Sequence, residues 1–275
     1  MVARRHWQWV AQACILLVIL ALLLPLLWML STSFKRPTDL FASGLGLVPP
    51  RPILTNYVLA WSKYPLPTWF LNSIVTALGV TAGQLVTSTL AAYGFARFLF
   101  PGKRVCFLAV LGAMIVPFQV TMIPNYILVA DLGLLNTWGA VILPNVHSAF
   151  GIFLLRQFFL GVPQELFDAA SLDGAGIWQT FWRVVLPMSR APLSALGIYL
   201  FLGAWNAYFW PLLVLSERGS QTLPIGLRSF LDVELGIEWG LLMAAATLAS
   251  LPALVAFAVA QKQLIQSFIM SGIKG

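Results

Sequence analysis

Six stretches of this chain, at about 10–32, 69–95, 104–128, 136–159, 191–215 and 239–262, run for roughly 20 residues with no Asp, Glu, Lys or Arg deep inside them. That length of helix crosses about 30 Å of hydrocarbon. Six such runs predict an all-α, polytopic membrane protein of one transmembrane domain over 1–275, because a lipid-exposed backbone must satisfy its own hydrogen bonds. The alternating pattern of a membrane β-barrel is absent. Composition agrees: 60% of the 275 residues are hydrophobic and 9% charged, too few charges to clothe a soluble domain.

The first apolar run follows MVARRHW and exceeds the core of a signal peptide, so it reads as an uncleaved span. Lys and Arg set the orientation. With both termini cytoplasmic, Arg4, Arg5, Arg97, Lys103, Arg104, Arg156, Arg183, Arg190, Lys262 and Lys274 lie inside, against only Glu165, Asp168 and Asp173. The whole formal excess of +7 then sits on that face, where anionic lipid favours it. The basic residues are scattered beside spans, which argues against a nucleic-acid partner.

Several chemistries are excluded. No G-x-x-x-x-G-K-[ST] is present to cradle a nucleotide, and no Ser/His/Asp grouping can be placed on one side of the membrane. His6 and His147 are too isolated for a metal site. Cys14 and Cys106 fit no disulfide or metal pattern and read as buried, inert thiols. Without ionisable groups in mid-span, an ion-coupled relay is also disfavoured. A sodium-coupled carrier using backbone ligands stays open as the alternative.

The connector 160–190 is patterned. GVPQELFDAASL starts as a helix, with Pro163 suited to its first turn and Glu165 near its positive end. Leu166, Ala169, Ala170 and Asp173 share one face. Asp173-Gly174 predicts a turn, with Asp173 available to cap a second helix over 175–186. That helix is expected to carry Trp178, Trp182 and Val185 on one side, and Pro187 ends it. The pair reads either as a docking knob or as an amphipathic connector lying on the membrane.

Polar groups within spans are costly unless used. Gln119, Asn125, Tyr126, Asn145, His147, Trp205, Asn206 and Tyr208 are therefore candidates to line a solute path, with interhelical hydrogen bonding as the plainer reading. Pro117, Pro124 and Pro144 are expected to kink spans three and four. Trp69, Trp138 and Trp239 read as interfacial anchors.

DAASLDGAGIWQTFWRVVLP resembles the EAA loop of binding-protein-dependent ABC importer permeases. The likeness extends through STSFKRP, NYVLAW, FLNSIVTALG, AAYGFARFLFPGKR, MIPNYILVADLGLLNT, FLLRQFF, WNAYFWPLLV, TLPIGL and SGIKG. This ordered set is similar to the second permease of the carbohydrate-uptake branch, the MalG type. The resemblance implies that the loop is a coupling helix seated in a separate ATPase, carried over to Asp168, Ala169, Ala170, Asp173, Gly174 and Ala175. Asp168 stands where the family usually has Glu, and Ala207 where relatives often carry an acid. Also implied are an ATPase dimer holding Mg-ATP, a second homologous permease in a heterodimer and an extracytoplasmic solute-binding protein. Lipid surrounds the chain in a bacterial or archaeal inner membrane, and no cofactor resides on the chain itself.

Overall fold

The computed structural model describes residues 2–40, 46–231 and 238–272, with backbone alone at 2–7, 10, 260 and 262–272. Lys274 and the side chains of Arg4, Arg5, His6 and Lys262 lie outside the described residues, as does 232–237 within TLPIGLRSFLDVELGIEW. The described residues form helices and no strand. In chain order these are α1 (Val2–Ser33), α2 (Thr55–Lys63), α3 (Leu66–Arg97), α4 (Lys103–Ala113), α5 (Phe118–Asp131), α6 (Trp138–Ile142) and α7 (Ala149–Leu160). They continue as α8 (Gln164–Leu172), α9 (Ile177–Thr180), α10 (Leu186–Met188), α11 (Arg190–Trp205), α12 (Phe209–Val214), α13 (Leu223–Gly226) and α14 (Trp239–Gly272). Contacts divide the chain into Met1–Thr68 with Ile225–Leu251, and Trp69–Pro224 with Pro252–Gly275.

Three helices are long and apolar enough to cross a membrane: Ala11–Ser33, Leu66–Arg97 and Trp239–Val259. Three bent pairs pass the same test, making six if each is one crossing. Bends are expected at Pro117, Pro124 and Pro144; the structure breaks at Pro117 and after Pro144, while Pro124 lies inside α5. Span 104–128 is α4 and α5, meeting at 97°. Pro117 caps α5 in an extended conformation, and its missing N–H cannot continue the ladder from α4. Span 136–159 breaks by 45° between Asn145 and Ala149, just after Pro144. The third bent pair is Ile177–Met188 with Arg190–Trp205, at 75°, and span 191–215 itself is helical only to Trp205, stops at Asn206 and resumes as α12.

A helix broken within a bilayer exposes carbonyls that no water can satisfy. In the second unit, α3 supplies the missing donors. Thr87 Oγ1 donates to the Val146 carbonyl (2.7 Å), Gln84 Nε2 to that of His147 (3.3 Å) and Ser88 Oγ to that of Ser148 (3.3 Å). Such polar residues in an apolar helix are therefore spent on the neighbouring break. Small residues allow the approach: a Cβ on Gly83 would lie 2.8 Å from Val146 Cγ1, and one on Gly151 2.6 Å from Ser88 Oγ.

Two further expectations are corrected here. Trp69 is fully buried and donates its indole N–H to the Arg218 carbonyl (2.8 Å), so it anchors a loop rather than the membrane interface. Cys14 and Cys106 are exposed. The outer surface of a membrane helix is itself an apolar environment, so an inert thiol needs no core position.

The first unit knits STSFKRP to NYVLAW. Asn56 Nδ2 donates to the carbonyls of Ser33 (2.8 Å) and Lys35 (2.9 Å), and Gly240 lies so close that a Cβ there would reach 2.8 Å from Asn56 Nδ2. Lys35 is buried, its Nζ 2.6 Å from the Gly46 carbonyl. Nearby, Glu238 accepts from Lys63 (2.7 Å) and Tyr64 (2.8 Å). The Lys63 hydrogen bond, set against some desolvation, holds the Glu238 carboxyl below its ordinary range. A carboxylate with a lowered folded pKa contributes stability above its unfolded pKa and loses it as pH falls through the folded one. Lys63 is exposed and Glu238 about one-third exposed, so solvent screening keeps the effect below about 1 kcal/mol. Protection of amides 57–64, the intrinsic exchange rate at each pH divided by the observed one, is expected to decline as pH falls from about pH 6 to about pH 3. Glu238→Gln should flatten that change; an unaltered pH dependence in the variant would assign it elsewhere.

Candidate functional site

The segment after α7 is a two-helix knob. Pro163 caps α8 in an extended conformation. At its far end Ala175 N donates to the Ala170 carbonyl (2.9 Å) and Gly174 N to that of Ser171 (3.1 Å), with Gly174 at φ +75°. This is a Schellman turn, which requires a residue at ease in the left-handed region. Asp173 occupies the C-cap of α8 and does not cap the following helix as expected. Gly176 opens that helix instead, its N–H donating to Gln179 Oε1 (3.1 Å).

The second helix runs α9, a π-helical turn over Phe181–Val185, then α10. Its expected single face is split. Trp178 and Trp182 are 63% and 58% exposed, whereas Phe181 and Val185 are buried. Phe181 and Val185, four residues apart, form the inward row and Trp178 and Trp182 the outward one, with the π turn lying over the inward pair. The alanine face of α8 is likewise divided: Ala170 is buried, Ala175 half-buried, and Asp168, Ala169, Asp173 and Gly174 are exposed.

The knob is rooted firmly. Phe181 and Val185 join Ala92 and Tyr93 of α3, Leu155 and Phe159 of α7, and Leu196 and Leu200 of α11 in one buried cluster, with Phe167 of α8 packed on it. Arg97, at the end of α3, donates to Gln164 Oε1 (3.1 Å) and the Val162 carbonyl (2.9 Å). Its guanidinium lies 3.4 Å from the Phe167 ring centroid, and Gln164 Nε2 donates to Asp168 (3.0 Å). Sequence reasoning used Arg97 only to orient the chain. The missed signal was a planar cation at the end of an apolar helix, beside aromatics on which it can stack.

A cavity of about 560 Å³ lies between α3, α6, α11 and α12. It brings together Asn145 and Asn206 of the expected path residues, with Gln84, Tyr199, Thr76 and Trp210, which the sequence reading left out. Gln84 could have been found as a mid-span amide. The remaining candidates do not line this cavity. Gln119, Tyr126 and His147 are exposed, Asn125 and Tyr208 half-buried. Trp205 is buried, with Phe201 at 5.9 Å and Phe70 at 5.7 Å between ring centroids.

Residues 84–269 match the family described as the binding-protein-dependent transport system inner membrane component. The chain is 34% identical to the arabinooligosaccharides transport system permease protein of Halalkalibacterium halodurans, covering 91% of each chain. It is 30% identical to the diacetylchitobiose uptake system permease protein of Streptomyces coelicolor, over 96% of this chain and 88% of that one. It is 31% identical to the sn-glycerol-3-phosphate transport system permease protein of Yersinia pestis, over 92% of each. The fold matches a chain of a bacterial ABC transporter involved in import of the acidic polysaccharide alginate, with a TM-score of 0.85 and 21% identity over 94% of this chain and 97% of that one.

Proposed function

We propose, for a chain that belongs to the family of binding-protein-dependent transport system inner membrane components, that the knob over Gln164–Met188 is where a separate ATPase drives it. One observation carries this reading. The tip formed by Asp168, Ala169, Asp173 and Gly174 is exposed, while Phe167, Phe181 and Val185 fix its root in a core shared with α3, α7 and α11. A force on the tip therefore moves three helices as one body, the kind of two-packing switch that ligand binding can bias.

The ATPase is a dimer that binds Mg-ATP, and ATP-driven closure draws two such knobs together, one from this chain and one from a second, homologous permease. An extracytoplasmic solute-binding protein delivers solute from the opposite side, and both termini of this chain face the cytoplasm. The solute is a sugar or related polar compound, as the names of the relatives suggest. It passes along the cavity lined by Asn145 and Asn206. The self-sufficient ion-coupled carrier loses ground, since those relatives are permease proteins of transport or uptake systems.

The test is mild-detergent purification of the tagged chain from native membranes. A P-loop ATPase should accompany it in about stoichiometric amount; its absence under several mild conditions overturns the reading. Arg97→Lys keeps the charge but loses the planar fork and its stacking on Phe167. It is expected to retain the ATPase while lowering uptake by about tenfold, a loss near 1.4 kcal/mol in coupling. Unchanged uptake would remove Arg97 from the transmission path.

A further inference from the structure

The loop that follows α12 is gripped from two sides. Asn72 of α3 donates through Nδ2 to the carbonyls of Gly219 (2.9 Å) and Gln221 (2.9 Å), and Trp69 Nε1 reaches that of Arg218. From the other side, Asn136 Oδ1 accepts the N–H groups of Ser216 (2.7 Å) and Glu217 (3.0 Å). Asn136 stands at φ +61°, in the left-handed region that asparagine tolerates better than most side chains. Between these grips lies a cleft of about 410 Å³. Trp138 and Glu217 line it, and both are exposed. The Trp138 indole N–H is spent on Asn72 Oδ1 (2.8 Å), so the ring is what Trp138 can offer a ligand. Among the described residues lining the cleft, only Glu217 is charged. Its Oε1 accepts from Asn136 Nδ2 (3.2 Å), and it joins no salt bridge among the described residues. The neighbouring Arg218 does not line the cleft.

We infer that this cleft receives a cationic side chain, a lysine or arginine presented by the extracytoplasmic solute-binding protein. The inference rests on the reading of this chain as a permease served by such a protein. A carboxylate beside an indole ring suits an alkylammonium or a guanidinium. The carboxylate pairs with the charge, and the negative face of the ring attracts the same cation. An anion would meet a like charge, and an apolar side chain would strip water from the carboxylate without replacing it. In the proposed orientation the cleft lies at the outer ends of spans four and five, where a binding protein arrives. The loop is already fixed by Asn72, Asn136 and Trp69, so docking requires little further ordering. A small-molecule site usually encloses most of its ligand. This cleft is open, so a cation carried by a docked protein fits it better than a free one.

Thiol labelling reads the charge of the cleft without any partner. Gly219 lines it, and a Cβ there would meet nothing within 4 Å. Gly219→Cys is placed in a background of Cys14→Ser and Cys106→Ser. Reaction rates with a trimethylammonium and a sulfonate methanethiosulfonate are each divided by the rate with free cysteine. The cationic reagent is expected to react about tenfold faster, at the low end of what a cleft of one charge sign achieves. Glu217→Gln keeps the acceptor for Asn136 but loses the charge, and should abolish the preference. Equal rates in the parent chain, or a preference that survives Glu217→Gln, overturn the inference.

Docking is then measured with the whole importer in nanodiscs, titrated with its solute-binding protein. Glu217→Gln is expected to weaken the affinity about tenfold, and Glu217→Lys to weaken it further. Each exposed lysine and arginine of the binding protein is changed to glutamate in turn. One such change should recover affinity for Glu217→Lys while weakening it for wild type. Unchanged affinity in Glu217→Gln, or no recovery anywhere in the scan, overturns the inference and leaves the permease reading in place. Protection of the thiol by putrescine alone, with docking indifferent to Glu217→Gln, assigns the cleft to a free cation and overturns it too. A wild-type importer that the binding protein neither binds nor stimulates defeats the permease reading, and the inference falls with it.

Discussion

Asp173→Lys/Gly174→Arg is expected to strip the ATPase from a chain that still inserts and folds. The pair sits at the exposed tip of the knob, away from the cluster that roots it. Lysine reverses a charge at the proposed contact. Arginine at 174 adds bulk on the docking side and forces a side chain to φ +75°, at a cost of roughly 1–2 kcal/mol. The loss at a docking hot spot is at least about 2 kcal/mol, near 30-fold in affinity, so co-purification and uptake should both disappear. Gly174→Asn separates strain from docking, because asparagine tolerates the left-handed region and should keep most of the bound ATPase. A double variant that is folded by circular dichroism yet retains the ATPase at the wild-type ratio would end the assignment of this knob.

The second large effect is expected at Gly83, far from any docking surface. Its virtual Cβ meets Val146 Cγ1 at 2.8 Å, Cβ at 3.0 Å and the backbone Cα at 3.3 Å. None of these is a flexible side-chain end. Yielding would drag the backbone of the 146–148 break away from Thr87, whose hydroxyl caps the Val146 carbonyl. Gly83→Ala should cost about 1–3 kcal/mol in overpacking and up to about 1 kcal/mol more if that hydrogen bond is lost. Gly79→Ala is the comparison. Its nearest contact, at 2.6 Å, is Ile142 Cδ1, the free end of a side chain that can swing aside. The prediction is therefore a marked fall in melting temperature in detergent for Gly83→Ala and a small one for Gly79→Ala. Equal melting temperatures would show that the break at 146–148 is softer than its packing indicates.

The local geometry of the knob was legible because its signals are local. Asp-Gly beside a short amphipathic helix predicts a left-handed turn, and Gly174 makes one. The split of the second helix was not legible. A π turn lies over Phe181–Val185, and what favours Phe181 and Val185 inward is a core assembled from α3, α7 and α11. Trp69 was misplaced for a related reason. An indole at the start of an apolar run suits the membrane interface as well as a buried loop contact, and the choice depends on the Arg218 carbonyl, 149 residues along the chain.

Hydropathy is enough to mark this chain as helical and made for a membrane. Hydrophobicity summed over some 20 residues is insensitive to where any side chain points. Prolines mark two of the breaks, at Pro117 and just after Pro144, because proline lacks a donor. Yet Pro25, Pro124 and Pro252 lie inside continuous helices, and the stop at Asn206 has no proline. How sharply the runs break, and which polar groups meet the freed carbonyls, depends on packing between segments far apart in the chain. The carbonyls at 146–148 need donors, and Gln84, Thr87 and Ser88 stand about 60 residues earlier in the chain. Hydropathy counts such residues merely as polar. Their partners at 146–148 exist only once α3 lies against the broken span.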